Sequence, residues 1–209
     1  MPISKVMSIE HSDAISTAVS IIRENGTIVF PTDTIYGVAA DAFSPGGIGR
    51  LYQLKERPFD KALPVLIGEL QQLDRLLLNK DDRLKQITSA FWPGPLTVIA
   101  LKGPDVPPEL SPYPTIGVRM PDLLFTLSLL KLTGPLATTS ANLSGGPNPA
   151  TVREVLDQLD GRVDLILDGG ATPGPAASTV IDISGPELKI LREGPISLDQ
   201  ITARLHKDA

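Results

Sequence analysis

The spacing of apolar residues along the chain predicts a protein in which helices and strands alternate. In several segments apolar side chains recur every three to four residues, a period typical of helices that bury one face. Two of these segments begin with a capping box, Thr151 with Glu154 and Ser197 with Gln200. The predicted helices cover residues 13–24, 48–54, two segments within 69–90, 122–131, 151–159 and 197–205.

Short apolar runs bounded by glycine, proline or polar residues predict the strands. They lie at residues 27–30, 63–67, 96–101, 116–119, 136–139, 165–168, 179–183 and 188–191, the last two forming a hairpin. Strands and helices alternate early in the chain and strands cluster late, which favours an α/β fold with a mixed, strongly twisted sheet flanked by helices. Neither a repeat nor a flexible linker divides the sequence, so a single domain over residues 1–209 is expected.

Two segments contain glycines that indicate special backbone contacts. TDTIYGVAAD at 32–41 contains Gly37 and several small residues, which suggests backbone packed closely against a neighbour. GGIG at 46–49 resembles half of a dinucleotide-binding fingerprint, but Tyr52 stands where the third glycine is required. We interpret this second segment as an ordinary loop.

Composition supports a folded protein away from membranes. Hydrophobic residues make up 42% of the chain and charged residues 21%, as in globular domains. The longest apolar stretches are far shorter than the ~20 residues of a membrane-spanning helix, so no membrane partner is expected. The first residues lack the apolar segment of a secretory signal, and a cytoplasmic location is therefore expected.

The inventory of reactive side chains excludes several kinds of chemistry. The chain has no cysteine, which rules out disulfides, thiolate metal sites and a cysteine nucleophile. Its two histidines, His11 and His206, lie near the ends, so neither a histidine-based triad nor a two-histidine metal site is expected. The remaining groups suit the binding of phosphates and carboxylates better than proton transfer at neutral pH.

Candidate binding residues stand at the ends of predicted strands. Arg119 and Arg192 each end a strand, where an arginine can make a bidentate contact with a carboxylate or phosphate. The hydroxyl-rich loop 137–146 and Ser178 can direct hydroxyl and backbone N–H groups toward an anion. Because ligands of α/β sheets bind where strand ends meet loops, these groups predict a pocket for a phosphate ester together with a carboxylate.

Each of these features also has a purely structural interpretation. Arg119 could be paired with a structural acid, and the loop 137–146 could be a tight turn satisfied by its own side chains. Lys55, Arg57 and Lys61 form a basic segment that could be a solvated loop. The residues alone do not specify a reaction.

Seven motifs, taken in order, resemble the YrdC-like family, the L-threonylcarbamoyladenylate synthases. They are PTDTIYG (31–37), KER (55–57), WPGP (92–95), GVRMP (117–121), TSANLSG (139–145), STVID (178–182) and LREG (191–194), within a resemblance covering about residues 10–200. The resemblance implies a YrdC-like fold with a central cavity for anionic ligands. Some members carry an additional C-terminal domain, which is not expected here.

The resemblance also implies an activity. Members join L-threonine, bicarbonate and ATP into threonylcarbamoyl-AMP and pyrophosphate, and a separate transferase passes the threonylcarbamoyl group to an adenosine of certain tRNAs. Mg²⁺ is expected to arrive with ATP and to be held through the phosphates, not by protein side chains, and no organic cofactor is expected. A direct contact with tRNA is left open.

Roles for individual residues follow from the same motif matches. Arg119 is expected on the threonine carboxylate, and Lys55 and Asn142 complete the Lys-x-Arg and Ser-x-Asn pairs of the family. The expected threonine-binding residues are Thr34, Arg119, Thr138 and Ser178; the expected ATP-binding residues are Arg57, Lys61, Thr115, Ser140, Asn148 and Arg192; the expected catalytic residues are Lys55, Arg57, Ser140 and Asn142.

The chain departs from the family pattern at two places. Many relatives carry a histidine where Leu66 stands, and another after the Val-Arg-x-Pro motif, where this chain has Asp122 and Leu123. Both departures concern how closely the threonine side chain is recognised, not the reaction.

Two other functions use the same features. The first is a module that binds structured RNA or tRNA through a basic concavity; a formal net charge of −5 and an aromatic content of 4% count against it. The second is a carbamoyl-adenylating domain that uses carbamoyl phosphate in place of threonine and bicarbonate. Threonine-dependent release of pyrophosphate would separate this second function from the synthase.

Overall fold

The computed structural model describes residues 3–173 and 176–205, and its ten strands form one sheet. The strands are β1 (Lys5–Ser8), β2 (Ile28–Phe30), β3 (Gly37–Asp41), β4 (Val65–Leu66), β5 (Leu96–Leu101), β6 (Thr115–Arg119), β7 (Leu136–Ser140), β8 (Leu165–Asp168), β9 (Thr179–Asp182) and β10 (Lys189–Arg192). Their order across the sheet is β1-β8-β2-β3-β7-β4-β6-β5-β9-β10. Four neighbouring pairs are parallel and five are antiparallel, so the sheet is mixed as predicted.

Helices connect these strands. They are α1 (Ala14–Arg23), α2 (Pro45–Lys55), α3 (Leu73–Leu76), α4 (Asp82–Phe91), α5 (Leu124–Thr133), α6 (Val152–Leu159) and α7 (Leu198–Leu205), with a 3₁₀ turn at Leu70–Gln72 before α3. The predicted capping box forms at α6, where the Thr151 hydroxyl accepts from the Glu154 N–H and the Glu154 carboxylate accepts from the Thr151 N–H. This reciprocal pair satisfies backbone donors that a helix otherwise leaves open at its N-terminus.

Helices cover both faces of the sheet, but unequally. Successive residues of a strand point to opposite faces, so Val29 belongs to one core cluster while its neighbours Ile28 and Phe30 belong to the other. Helices α2, α3, α4, α6 and α7 contribute to the first cluster, and α1 and α5 contribute to the second. The second cluster draws on β2, β8, β3, β7 and β4 but has no member from β6, β5, β9 or β10. That part of the face is therefore available to a ligand.

The structure confirms most predicted elements and corrects three assignments. Residues 37–41 form a central strand, β3, instead of an unassigned segment, and Lys5–Ser8 form an edge strand that the apolar pattern did not predict. The GGIG segment lies in the first turns of α2 and not in a loop; the Ser44 hydroxyl caps this helix by accepting from the Gly47 N–H. His206 lies outside the described residues. Within the described part of the chain, no helix is long and apolar enough to cross a membrane.

Candidate active site

The open part of the sheet face forms the floor of a cavity of about 380 Å³. Its lining includes residues from β3, β7, β4, β6, β5, β9 and β10, which are seven consecutive strands of the sheet. One cavity can touch seven adjacent strands on the same face only if the sheet curves around it, as strong twist allows. The loops 32–35, 57–64 and 177–178 supply the walls.

Strand register arranges the floor in rows. Arg119 of β6 lies beside Leu66 of β4, which lies beside Leu136 of β7. Thr138 and Ser140 follow Leu136 at two-residue intervals, and on β6 Gly117 precedes Arg119 by the same interval, so all of them face the cavity. At Gly117 a Cβ would lie 3.1 Å from Thr97 Cγ2. A residue without a side chain at this position therefore leaves space in the cavity.

Arg119 is the most constrained cation of the cavity. Its Nε donates to the Gly94 carbonyl at 3.0 Å, its Nη1 donates to the Thr34 hydroxyl at 2.9 Å, and its Nη2 donates to the Asp33 carboxylate. The Arg119 side chain is 7% exposed and that of Asp33 is 12% exposed. Burial lowers the pKa of the guanidinium, while the Asp33 carboxylate opposes that shift. Two of its five N–H groups remain available for a ligand.

The loop that carries Asp33 is ordered by a single hydroxyl. Thr32 Oγ1 accepts from the backbone N–H groups of Thr34 and Ile35 and donates to the Ile35 carbonyl at 2.7 Å. It also lies 2.9 Å from the Thr34 hydroxyl. This local turn explains why a buried threonine belongs in the PTDT segment: it fixes the two side chains that hold Arg119.

A second arginine, Arg192, lies at the other side of the cavity. Its Nε donates to the Ser178 carbonyl at 3.0 Å and its Nη2 donates to the Ser178 hydroxyl at 3.2 Å. That hydroxyl is also 2.8 Å from Thr97 Oγ1 on β5. Burial lowers the pKa of Arg192, and its charge contributes to lowering the pKa of Arg119, so the two guanidinium groups act on the same space.

Arg57 forms the third cationic wall. Its Nε donates to the Lys61 carbonyl at 3.2 Å and its Nη2 to the Ala62 carbonyl at 2.9 Å, which fold the segment 57–62 around the guanidinium. Burial lowers the pKa of Arg57, with Tyr52 and Asp60 acting in the opposite direction. Arg57 is partly desolvated and has no ion-pair partner in the described part of the chain, which favours the approach of an anion to its guanidinium.

Lys55 lies behind this wall and organises the loop after β7. Its ammonium donates to the carbonyls of Ser140 and Asn142 and, at 3.1 Å, to the Asn142 side-chain oxygen. The Asn142 amide in turn donates to the Gly146 carbonyl at 2.6 Å, closing the turn. Burial and the neighbouring Arg57 lower the pKa of Lys55 to about 7.

Most of the residues singled out from the sequence meet at this cavity, and four do not. Lys55 and Asn142 are buried behind the floor, Lys61 is exposed, and Thr115 lies on the cavity face of β6 just beyond the lining. Those that line the cavity are Thr34, Arg57, Arg119, Thr138, Ser140, Asn148, Ser178 and Arg192. Their roles toward threonine and ATP stay predictions.

The sequence did not identify every residue of the site. Asp33 is not among the predicted site residues, although a carboxylate between two threonines is a signal for a polar site. Thr97 contacts Ser178, and its signal is a hydroxyl within the apolar run LTVIAL. Among the residues that the structure describes, no group of three or more histidine or acidic side chains could hold a metal ion.

Comparisons with known proteins extend this picture. A family model named Sua5_yciO_yrdC and described as "Telomere recombination" matches residues 20–194. The chain belongs to the Sua5/YciO/YrdC family. The match covers most of the chain, including the segments that form the cavity.

Two curated members of this family illustrate the relationship. The chain is 34% identical over 201 residues to a putative threonylcarbamoyl-AMP synthase of Mycobacterium tuberculosis, covering 96% of this chain and 93% of that protein. It is 38% identical over 192 residues to the threonylcarbamoyl-AMP synthase of Bacillus subtilis, covering 90% of this chain but only 56% of that protein. The chain thus spans about half the length of some Sua5/YciO/YrdC relatives.

A solved structure of the same family has a closely similar fold. The crystal structure of P. abyssi Sua5 complexed with L-threonine superposes with a TM-score of 0.91 at 34% identity, covering 99% of this chain and 61% of that one. The family and the YrdC-like fold implied by the seven motifs are therefore confirmed.

Proposed function

We propose that this chain is an L-threonylcarbamoyladenylate synthase, a nucleotidyltransferase that forms threonylcarbamoyl-AMP and pyrophosphate from L-threonine, bicarbonate and ATP. One observation carries the proposal: a buried arginine held among hydroxyl groups shares a single cavity with two arginines that have no carboxylate partner among the described residues. An amino acid and a polyphosphate are the ligands that such a pair of subsites fits. The names of the curated relatives support this function over the two alternatives.

The reaction needs no nucleophile from the protein. The threonine amine forms an N–C bond with bicarbonate and water leaves, giving N-carboxythreonine. An oxygen of the new carboxylate then attacks the α-phosphorus, the bond to the β-phosphate oxygen breaks, and pyrophosphate leaves with that electron pair. This chemistry suits a chain without cysteine and with only two histidines, both near its ends.

The protein contributes positioning and charge. Arg119, with Thr34, Thr138 and Ser178 nearby, is proposed to hold the threonine carboxylate, while Arg57 and Arg192 offset the negative charge of the triphosphate. Preorganised donors of this kind stabilise a developing charge by roughly 3–4 kcal/mol each in comparable sites. Lys61, whose carbonyl accepts from Arg57, has an exposed side chain. Its ammonium is proposed to contact a phosphate outside the enclosed cavity.

Mg²⁺ enters this proposal only with the nucleotide. Because the described residues offer no cluster of acidic or histidine ligands, we assign no side chain to the metal and derive no step through it. The downstream transfer of the threonylcarbamoyl group to tRNA by a separate transferase is likewise part of the proposal.

The test is to incubate the pure protein with ATP, Mg²⁺, bicarbonate and each amino acid in turn, and to follow the acyl adenylate by mass spectrometry. Threonine is expected to give the product, with serine second. Release of pyrophosphate should require both threonine and bicarbonate. Equal release without either of them, or release driven by carbamoyl phosphate, would show that the synthase assignment is wrong.

Arg119→Ala provides the residue-level test of the same proposal. Losing the carboxylate contact is expected to lower kcat/KM for threonine by about 10²–10³-fold. Arg153→Ala is the matched control, because Arg153 forms an exposed ion pair with Asp157 on α6 and does not line the cavity. An Arg119→Ala protein that binds threonine as the parent does would remove the proposed role of Arg119.

A further inference from the structure

The cations around the cavity are of two kinds. Among the described residues, Arg119 has an ion-pair partner, Asp33, whereas Arg57, Lys61 and Arg192 have no carboxylate within ion-pair distance. Asp60 is near enough to Arg57 to affect its pKa but forms no ion pair with it. At the proposed amino-acid end of the cavity, the positive charge of Arg119 is thus balanced by Asp33. At the proposed polyphosphate end, no described carboxylate balances the positive charges.

Asp33 is placed so that its charge is felt by any ligand of Arg119. Its carboxylate is hydrogen-bonded to Nη2, one of the two nitrogens that retain an N–H group for a ligand. The side chain is nearly buried, so the charge is only weakly screened by solvent. The proposed reaction gives this carboxylate no chemical step.

We propose that Asp33 is a specificity-determining residue that keeps phosphate groups off Arg119 while admitting the carboxylate of an amino acid. This inference rests on the proposed function. A zwitterionic amino acid carries its ammonium one carbon away from its carboxylate and has no net charge, so a carboxylate next to its binding arginine costs little. A phosphate or pyrophosphate carries only negative charge and is repelled by Asp33.

The two ends of the cavity need such a distinction because they are close. The charge of Arg192 contributes to lowering the pKa of Arg119, and both residues line the same cavity as Arg57. An uncompensated Arg119 would be a third phosphate-binding arginine, and a nucleotide or pyrophosphate placed there would block threonine. Pairing Arg119 with Asp33 preserves its directional hydrogen bonds and removes its net attraction for polyanions.

The test measures binding of labelled threonine in the presence of inorganic pyrophosphate, without ATP. For the parent protein, pyrophosphate at a concentration that displaces ATP is expected to leave threonine bound. Asp33→Asn keeps the acceptor oxygen for Arg119 but removes the charge, and it should let pyrophosphate compete with threonine at least about tenfold more strongly. Asp157→Asn removes the carboxylate charge from an exposed ion pair with Arg153, and this control should behave as the parent.

Two outcomes would overturn the inference while leaving the proposed function intact: pyrophosphate that displaces threonine from the parent protein, or an Asp33→Asn protein no more sensitive to it than the parent. The first needs no variant, so the inference stays testable even if Asp33→Asn does not fold. If the parent binds neither threonine nor ATP, the proposed function fails and the inference fails with it. Asp33→Ala, which removes acceptor and charge together, should weaken threonine binding in addition to admitting pyrophosphate.

Discussion

At the scale of single residues, Lys55 is the clearest case of a charge placed where water does not reach. It is 1% exposed and stands in the last turn of α2, and among the described residues its hydrogen-bond partners are uncharged oxygens: two carbonyls and one side-chain amide. A cation at a helix C-terminus is favoured by the peptide dipoles, which offsets part of its desolvation. Its position ties α2 to the loop after β7, so its contribution to the cavity goes through Ser140 and Asn142.

This burial predicts a stability that depends on pH. An unfolded lysine keeps its proton up to a pKa of about 10.5, whereas folding lowers the pKa of Lys55 to about 7. Between these values the unfolded chain binds more protons, so the free energy of unfolding should rise as the pH increases from 7 toward 10. Relative to Lys55→Met, the parent should gain on the order of 2 kcal/mol between pH 7 and pH 9.

Denaturant unfolding of both proteins at several pH values checks this expectation. Lys131→Met, a change at an exposed lysine of α5, is the control and should follow the parent. Parallel curves for the parent and Lys55→Met would show that Lys55 stays protonated when folded, held by its three acceptors.

At the scale of elements, the two glycines on either side of β10, Gly185 and Gly194, lie in very different surroundings. A Cβ at Gly194 would lie 2.4 Å from the Thr179 nitrogen and 2.7 Å from the Ser178 carbonyl carbon, both backbone atoms that cannot rotate away. A Cβ at Gly185, in the turn before β10, would meet nothing within 4 Å. Close approach of backbone to backbone at Gly194 therefore holds the end of β10, and with it Arg192, against β9.

Gly194→Ala should push these strands apart, costing about 1–3 kcal/mol of stability and weakening ATP binding because Arg192 and Ser178 separate. Gly185→Ala should leave both stability and ATP binding unchanged. Thermal unfolding together with a nucleotide-binding isotherm measures the two effects. Unaltered ATP binding by a folded Gly194→Ala protein would mean that this contact does not position Arg192.

The sequence predicts an element well when the residues of that element carry the pattern themselves, and poorly when the element depends on pairing with distant strands. Strand β5 and helix α6 carry their own pattern or capping residues and were predicted with nearly correct bounds. Strand β3, with the small residues GVAAD, has no such pattern and is defined by its neighbours β2 and β7. The edge strand β1 forms only by pairing with β8, some 160 residues later.

The same distinction applies to the site. Arg119 and Ser178 could be chosen from their chemistry and their place at strand ends. The Asp33–Arg119 pair joins residues 86 positions apart, and no local pattern predicts which carboxylate meets which arginine. The order of strands across the sheet, which brings them together, depends on long-range packing.

At the scale of the whole molecule, charge is unevenly distributed. The chain carries 19 basic and 24 acidic residues, yet three arginines line one cavity, and of these only Arg119 forms an ion pair among the described residues, with Asp33. A positive cavity attracts small anions that can enter it, whereas the negative net charge of the protein repels large polyanions that cannot. A nucleotide fits this description, whereas a folded RNA meets the outer surface.

This distribution predicts how the protein responds to tRNA and to salt. In gel-shift measurements without ATP and threonine, tRNA is expected to give no complex at 150 mM salt, while ATP still binds. A module that grips RNA through 6–10 phosphate contacts would instead bind tightly at 50 mM salt and lose about 10³–10⁵ in affinity by 200 mM. Observing that steep loss would restore the RNA-binding interpretation and would require a basic surface on the outside of the protein. Nucleotide binding should weaken less over the same range, because one nucleotide brings far fewer phosphates into contact with the protein than such an RNA does.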